Sequence, residues 1–258
     1  MDIHHHPDLH HKKKNFKEYF LEFLMIFLAV TLGFFAESYR EYSVEKTRAK
    51  EYARSLIHDL EKDTAMVRVD IRNMEYITAR IDSLSALLKS NKISKLTNGQ
   101  LFAYTHFGCD YRPYTWSRAS LDEIKSSGSL RYFENDSLIM KISAYDALTK
   151  HLDEDFSGDM ERNDRVSLKR NSIIDRNYGL NDSLVTWKTN PDSIISIILK
   201  IQPPLTLLTN NTNDIKSLMN DYLDIQEQLN GRGGFELPHL AREAAELIFL
   251  LKKEYHLQ

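Results

Sequence analysis

A chain of 258 residues with a formal net charge of -3 and 28% charged residues has no global basic field, which argues against a nucleic-acid partner. Nine glycines and six prolines are few for a fold of strands and tight turns and favour long helices. The lone cysteine, Cys109, rules out an internal disulfide, so a domain in an oxidising compartment has to rely on its core or on oligomerisation.

Residues 1–15 form a short His/Lys-rich tail: His4, His5, His6, His10 and His11 precede Lys12, Lys13 and Lys14. Clustered histidines can bind a transition metal, but Pro7-Asp8-Leu9 breaks them up and the tail reads as disordered, its lysines setting topology. Phe16–Ala36 follows as a membrane-spanning helix. The stretch Phe23–Ala36 carries no charge, and counting from Phe16, with Lys17 and Glu18 reaching the headgroups, gives the ~20 residues a bilayer core requires. Glu22 then lies roughly one turn inside the boundary, where an acid is tolerable. Two rival readings exist: a cleaved signal peptide, against which Gly33-Phe34-Phe35-Ala36 is bulky where cleavage needs small residues, and a buried soluble helix, which would need a partner for its all-round hydrophobicity. Lys/Arg counts on the two sides are balanced, with the denser cluster upstream. The expected topology is N-terminus cytoplasmic and C-terminal domain periplasmic. Within the span, Ala29-x-x-x-Gly33 has the spacing of a helix-packing motif, a pattern frequent by chance.

From Glu37 to about Ser90 there is neither proline nor glycine. An apolar stripe through Tyr42, Ala49, Ala53, Leu56, Leu60, Val67, Ile71, Met74, Ile81, Leu84 and Leu88 has helical spacing. Such a helix would reach on the order of 75 Å if straight. Its other face is expected to carry Glu45, Lys46, Glu61, Lys62, Asp63 and Arg72. The stripe fits either a dimeric coiled coil or the spine of an intramolecular bundle, and the later helices favour the bundle.

Asn98-Gly99 marks a turn, and a short helix is expected over Gln100–Phe107. Ser120 and Glu123 have capping-box spacing, Gly128 suits a left-handed helix end, and Asn135, Asp136 and Ser137 offer caps. The next helix carries Leu138, Ile142, Tyr145, Leu148, Leu152, Phe156 and Met160 on one stripe; Gly158 weakens it, and it continues past Val166, Ile173 and Ile174 to about Tyr178. The isoleucine-rich run Ser193–Ile201 is too short to span a bilayer and reads as core, ending at Pro203-Pro204. A further amphipathic helix over Asn213–Leu229 stops at Asn230-Gly231-Arg232-Gly233-Gly234, expected to be a linker. Pro238 then starts the last helix. Nothing alternates persistently with period two. The expected fold is all-α, with the transmembrane helix continuing into a long helix packed in an elongated bundle over 37–258.

Few residues point to chemistry. Phe102–Phe133 concentrates aromatics, with Tyr111, Arg112, Tyr114, Trp116 and Arg118 as candidate partner or ligand contacts, since aromatics and arginine supply buried area with a polar handle. The alternative is that they form the seam docking a helical hairpin onto the long helices. His151 and Asp155, one turn apart, are a possible metal pair, set against an ordinary solvated face. His58-Asp59 do not face each other on a helix. The glycines at 231, 233 and 234 lack the Lys-Ser/Thr of a phosphate loop. Cys109 lies near Arg112 but has no placed histidine. No constellation for an enzyme, cofactor or metal emerges.

Two stretches, LEFLMIFLAVTLGFFAE and SLDEIKSSGSLRYFENDSL over Ser120–Leu138, occur in a layout that resembles an uncharacterised family of single-span helical proteins of Bacteroidota. The resemblance implies an inner-membrane anchor and a helical extracytoplasmic domain, and carries no catalytic or ligand residue. The expectation is therefore a single-pass, non-enzymatic inner-membrane protein, with the lipid bilayer and a protein partner or second copy as its contacts. It would act as an interaction or scaffold module at the cell envelope. The alternative is a ligand-sensing domain signalling through a partner.

Overall fold

The computed structural model of the chain describes residues 15–89, 101, 105, 113–174, 196, 207–209 and 211–257. The histidine tail, the Asn98-Gly99 turn, Cys109, the Ser193–Ile201 run apart from Ser196, and Pro203-Pro204 lie outside them. The fold is all-α. Helix α1 runs over Phe16–Lys89, α2 over Ala119–Ser126, α3 over Asp136–Ile173, α4 over Thr212–Gly231 and α5 over Leu237–Tyr255, with a short 3₁₀ turn at Ser129–Tyr132. The strand-like pairing among the described residues is a single bridge, Ile174 with Leu207. By contacts the chain divides into two compact units, Met1–Glu51 and Tyr52–Gln258.

In the first unit the stretch Phe23–Ala36 of α1 is apolar around its whole circumference. Phe20, Phe23, Ile26, Phe27, Val30 and Phe34 are all exposed. An 18-residue window of α1 is apolar enough to cross a bilayer by length and composition, and none of it is buried. Asn15 starts the helix: its carbonyl accepts from the Glu18 N–H at 2.8 Å, and its own N–H donates to Glu18 Oε2 at 3.3 Å, so orphan donors of the first turn are satisfied locally.

In the second unit the rest of α1 contributes a buried row, Ala53, Leu56, Leu60, Val67, Met74, Ile81 and Leu84, at the steps of three, four and seven residues that keep one face inward. The row joins one core with Leu138, Ile142 and Leu152 of α3, Ile215, Leu218, Tyr222 and Ile225 of α4, and Leu237, Leu240, Leu247 and Leu251 of α5. From Ala53 on the stripe is thus covered within its own chain, as a bundle spine would be, whereas its first member, Tyr42, is exposed. Asp63, expected on the solvent face, is 3% exposed. It lies three residues after Leu60 and four before Val67, which places it on the inner face.

The helix ends follow local chemistry, with three departures from expectation. Asn135 caps α3, its side chain accepting from the N–H groups of Ser137 at 3.0 Å and Leu138 at 3.4 Å. Gly128 takes the left-handed conformation, φ 68°, after α2, where a side chain would be strained. First, α3 passes Gly158 intact but ends at Ile173, with Ile174 extended, short of the expected Tyr178. Second, α2 begins at Ala119, so Ser120 is inside the helix and caps nothing. Third, the glycine-rich stretch is no linker. After α4 the chain stays helical through a π-helical segment, Arg232–Glu236, straight into α5. Pro238 has no N–H to give to the carbonyl four residues back, and its ring would press on that group in an α-helix. The ladder widens here, the Leu237 N–H reaching the Arg232 carbonyl five residues back. Gly233 packs beside α1: a Cβ there would meet Met74 Sδ at 3.4 Å, an ordinary van der Waals contact.

Candidate functional site

Two polar centres are built into the second unit. The first joins α1, the segment leading into α2, and α3. Arg118 at the start of α2 gives no side-chain cap. Asp59 and Asp63, one turn apart on α1, do this work from across the interface. Asp59 Oδ2 accepts from the Ser120 N–H at 3.1 Å, and Asp63 Oδ1 accepts from the Ser117 N–H at 2.7 Å. A helix N-terminus favours negative charge, so the pairing is doubly complementary. The other Asp63 oxygen accepts from the Tyr145 hydroxyl at 2.7 Å. Burial, then the charge and hydrogen bond of Asp63, raise the Tyr145 pKa, keeping the phenol a donor.

Beside it Asp146, nearly buried, gathers three cations: Arg118 Nη2 at 2.5 Å, Lys125 Nζ and Lys150 Nζ at 3.0 Å. Burial alone would raise its pKa, but hydrogen bonds from Lys125, Lys150 and Arg118 bring it down to about 2. Asp70, half-buried further along α1, is pushed up to about 6 by burial. The two carboxyls therefore act on stability with opposite signs. Asp70 binds its proton more tightly folded than unfolded, so stability rises as pH falls from about 6 towards 4. Asp146 binds its proton less tightly folded, so stability is lost as pH falls from about 4 to 2. With solvent screening allowed for, each change in stability amounts to about 1–2 kcal/mol at most. Urea titrations across this range are expected to show the upper limb flattened in Asp70→Asn and the lower limb flattened in Asp146→Asn. Parallel profiles for wild type and both variants would contradict the assignment.

Of the candidate contacts, Tyr111 and Arg112 lie outside the described residues. Tyr114 is buried and stacks on Trp116, ring centroids 5.2 Å apart, and meets the Phe156 edge at 5.9 Å. Trp116 Nε1 donates to Asp153 Oδ1 at 2.8 Å. Arg118 is held by Asp146, by Thr149 Oγ1 at 2.9 Å and by Asp122 at 3.7 Å. These three side chains spend their polar and aromatic capacity inside the chain, as a docking seam does. The void that Trp116 and Arg118 enclose with Tyr145 is about 10 Å³, room for one water at most.

The second centre is at the π-helical segment. Arg232 Nη1 donates to Glu236 Oε2 at 2.5 Å and lies 2.7 Å from Asp155 Oδ2, while its Nε is 3.2 Å from Asp159 Oδ2. Burial, which would lower the guanidinium pKa, is overcome by the hydrogen bonds to Glu236 and Asp159, and the pKa is raised. An open cleft of about 460 Å³ runs alongside, walled by Asp159, Arg162, Asp224, Glu227, Arg232 and Glu236. His151 Nε2 is 3.3 Å from Asp155 Oδ2, but that carboxylate also serves Arg232. Among the described residues no group of three or more His, Cys, Asp or Glu side chains is placed to hold a metal ion.

Sequence reasoning passed over Asp59, Asp63, Asp159 and Arg232. The available signal was position: each of the three acids lies at core spacing from apolar neighbours on its own helix. No protein-family model, no curated protein and no solved structure matches this chain.

Proposed function

We propose that this chain is a single-pass, non-enzymatic membrane protein whose helical unit serves as an interaction or scaffold module at the cell envelope. In this reading it is held in the bacterial inner membrane with its N-terminus in the cytoplasm, as in the Bacteroidota family it resembles. One observation carries the proposal. Helix α1 bears two apolar surfaces in succession, one exposed on all sides between Phe16 and Phe35 and one buried between Ala53 and Leu84. The buried row is satisfied by the protein core. The exposed stretch has nothing of that kind, and an apolar surface of this extent needs an apolar partner.

The scaffold role draws on the outer surface of the second unit, where Phe235 and Phe249 stand exposed, while the aromatic seam is engaged internally. The sensing alternative has less support, because the void at that seam is too small for more than a water. The test uses the full chain expressed in a Gram-negative host. It should stay in the membrane pellet after alkaline carbonate washing, and the intact mass should include residues upstream of Glu37. Release into the supernatant, or a mature chain beginning near Glu37, would overturn the anchor. Mild crosslinking in the same membranes, followed by detergent extraction, should give a defined larger species, a partner complex or an oligomer. A bare monomer throughout would overturn the scaffold role.

A further inference from the structure

The exposed helix carries its own depth marks. Tyr19 and Tyr39 lie twenty positions apart, which is about 30 Å along a helix and matches the hydrocarbon thickness of a bilayer. Tyrosine is favoured at the headgroup level on both sides, its ring apolar and its hydroxyl wet. Tyr39 is 75% exposed and Tyr42, one turn on, 47%. Lys46 Nζ sits 5.9 Å from the Tyr42 ring centroid, within cation–π range.

Glu37 stands in the way of a hydrocarbon edge this far along, since a lone carboxylate would be drawn to water at that depth. It is not alone. Arg40 Nε donates to its Oε2 at 2.9 Å and Arg40 Nη2 to its Oε1 at 2.5 Å, a two-pronged pair in which both charges are compensated. The pair removes the net charge from the last turn before the collar.

Building on the membrane-span reading above, we infer that Tyr39 and Tyr42, backed by the Glu37–Arg40 pair, form an interfacial collar for phospholipid headgroups. The hydrocarbon edge is then at Ser38–Tyr39, about one turn beyond Ala36, with Tyr19 marking the opposite edge. Lys17 and Glu18 fall among the headgroups, and Glu22 sits one turn inside.

The experiment labels single cysteines in the full chain, with Cys109 replaced by serine, in phosphatidylethanolamine/phosphatidylglycerol vesicles. A membrane-impermeant maleimide is admitted to both faces by freeze–thaw. Leu28→Cys, Phe34→Cys and Ser38→Cys are expected to react at least about tenfold more slowly than Glu41→Cys and Val44→Cys, because water is excluded from the core. Adding Arg40→Ala, which leaves Glu37 unpaired, should expose Ser38→Cys while Phe34→Cys stays protected. Ser38→Cys reacting as fast as Glu41→Cys in the unmodified background would put the edge at Ala36 and overturn the collar, with the span intact. Protection extending through Val44→Cys would overturn it in the other direction. An indifferent Ser38→Cys on Arg40→Ala would remove the ion pair's part in it. Fast labelling of Leu28→Cys would instead defeat the membrane-span reading itself.

Discussion

Asp63→Ala is expected to destabilise the helical unit by about 3 kcal/mol, because it strands two donors at once, the buried Tyr145 hydroxyl and the part-buried Ser117 N–H. The Ser117 N–H and the Tyr145 hydroxyl each give Asp63 a 2.7 Å hydrogen bond, and the enclosed space around them holds one water at most. Asp63→Asn keeps an acceptor oxygen for one donor and places an amide against the other, so roughly half that loss is expected. Tyr145→Phe removes a donor together with its demand and should cost less than either. Urea denaturation of the three variants, followed by far-ultraviolet circular dichroism, checks the order Ala, then Asn, then Phe. A loss below about 1 kcal/mol for Asp63→Ala would show that water reaches the seam, and the cross-interface capping of α2 would then be ornamental. Trp116→Phe gives a separate handle on the same seam, since it keeps the stacking on Tyr114 and loses only the hydrogen bond to Asp153.

The apolar half of this architecture was legible because hydrophobic periodicity is a local property. Ala53, Leu56, Leu60 and Val67 announce an inward face from their spacing alone, and the uncharged run through Phe23–Ala36 announces an apolar environment by its length. The polar half was not, because an acid at a core position is identified only by the partner it meets across an interface. Asp63 looks like one charge in a charged helix until the backbone of Ser117 and the hydroxyl of Tyr145 are brought to it from residues far along the chain. The same blindness hid Asp159, whose partner Arg232 lies inside a glycine-rich stretch. There the turn propensities of Gly231, Gly233 and Gly234 are real, and they are overridden by packing: Gly233 lies against Met74, Leu237 and Leu240 are buried on the far side, and a change of helical register absorbs Pro238. Ser120 and Glu123 failed as a capping box for a related reason. Carboxylates from α1 supply what the local motif would have supplied, and the helix starts two residues earlier than the motif allows.

Arg232→Ala is expected to cost about 3 kcal/mol, the penalty for leaving a buried carboxylate without its cation. Asp159 is the residue at stake. It is 4% exposed, whereas Glu236 and Asp155 are open enough to recover hydration. If the stranded charge is the cause, Asp159→Asn should restore most of the loss in the double variant while costing more than it returns in the wild-type background. A purely local helix defect at the π-helical segment would behave differently: its cost would be untouched by Asp159→Asn. Thermal and urea unfolding of the two single variants and the double variant separates the cases. Under the charge explanation the arginine does more than hold three acids. It joins α3 to the stretch between α4 and α5, so a sequence rich in glycine stays helical where its own propensity would let it turn away.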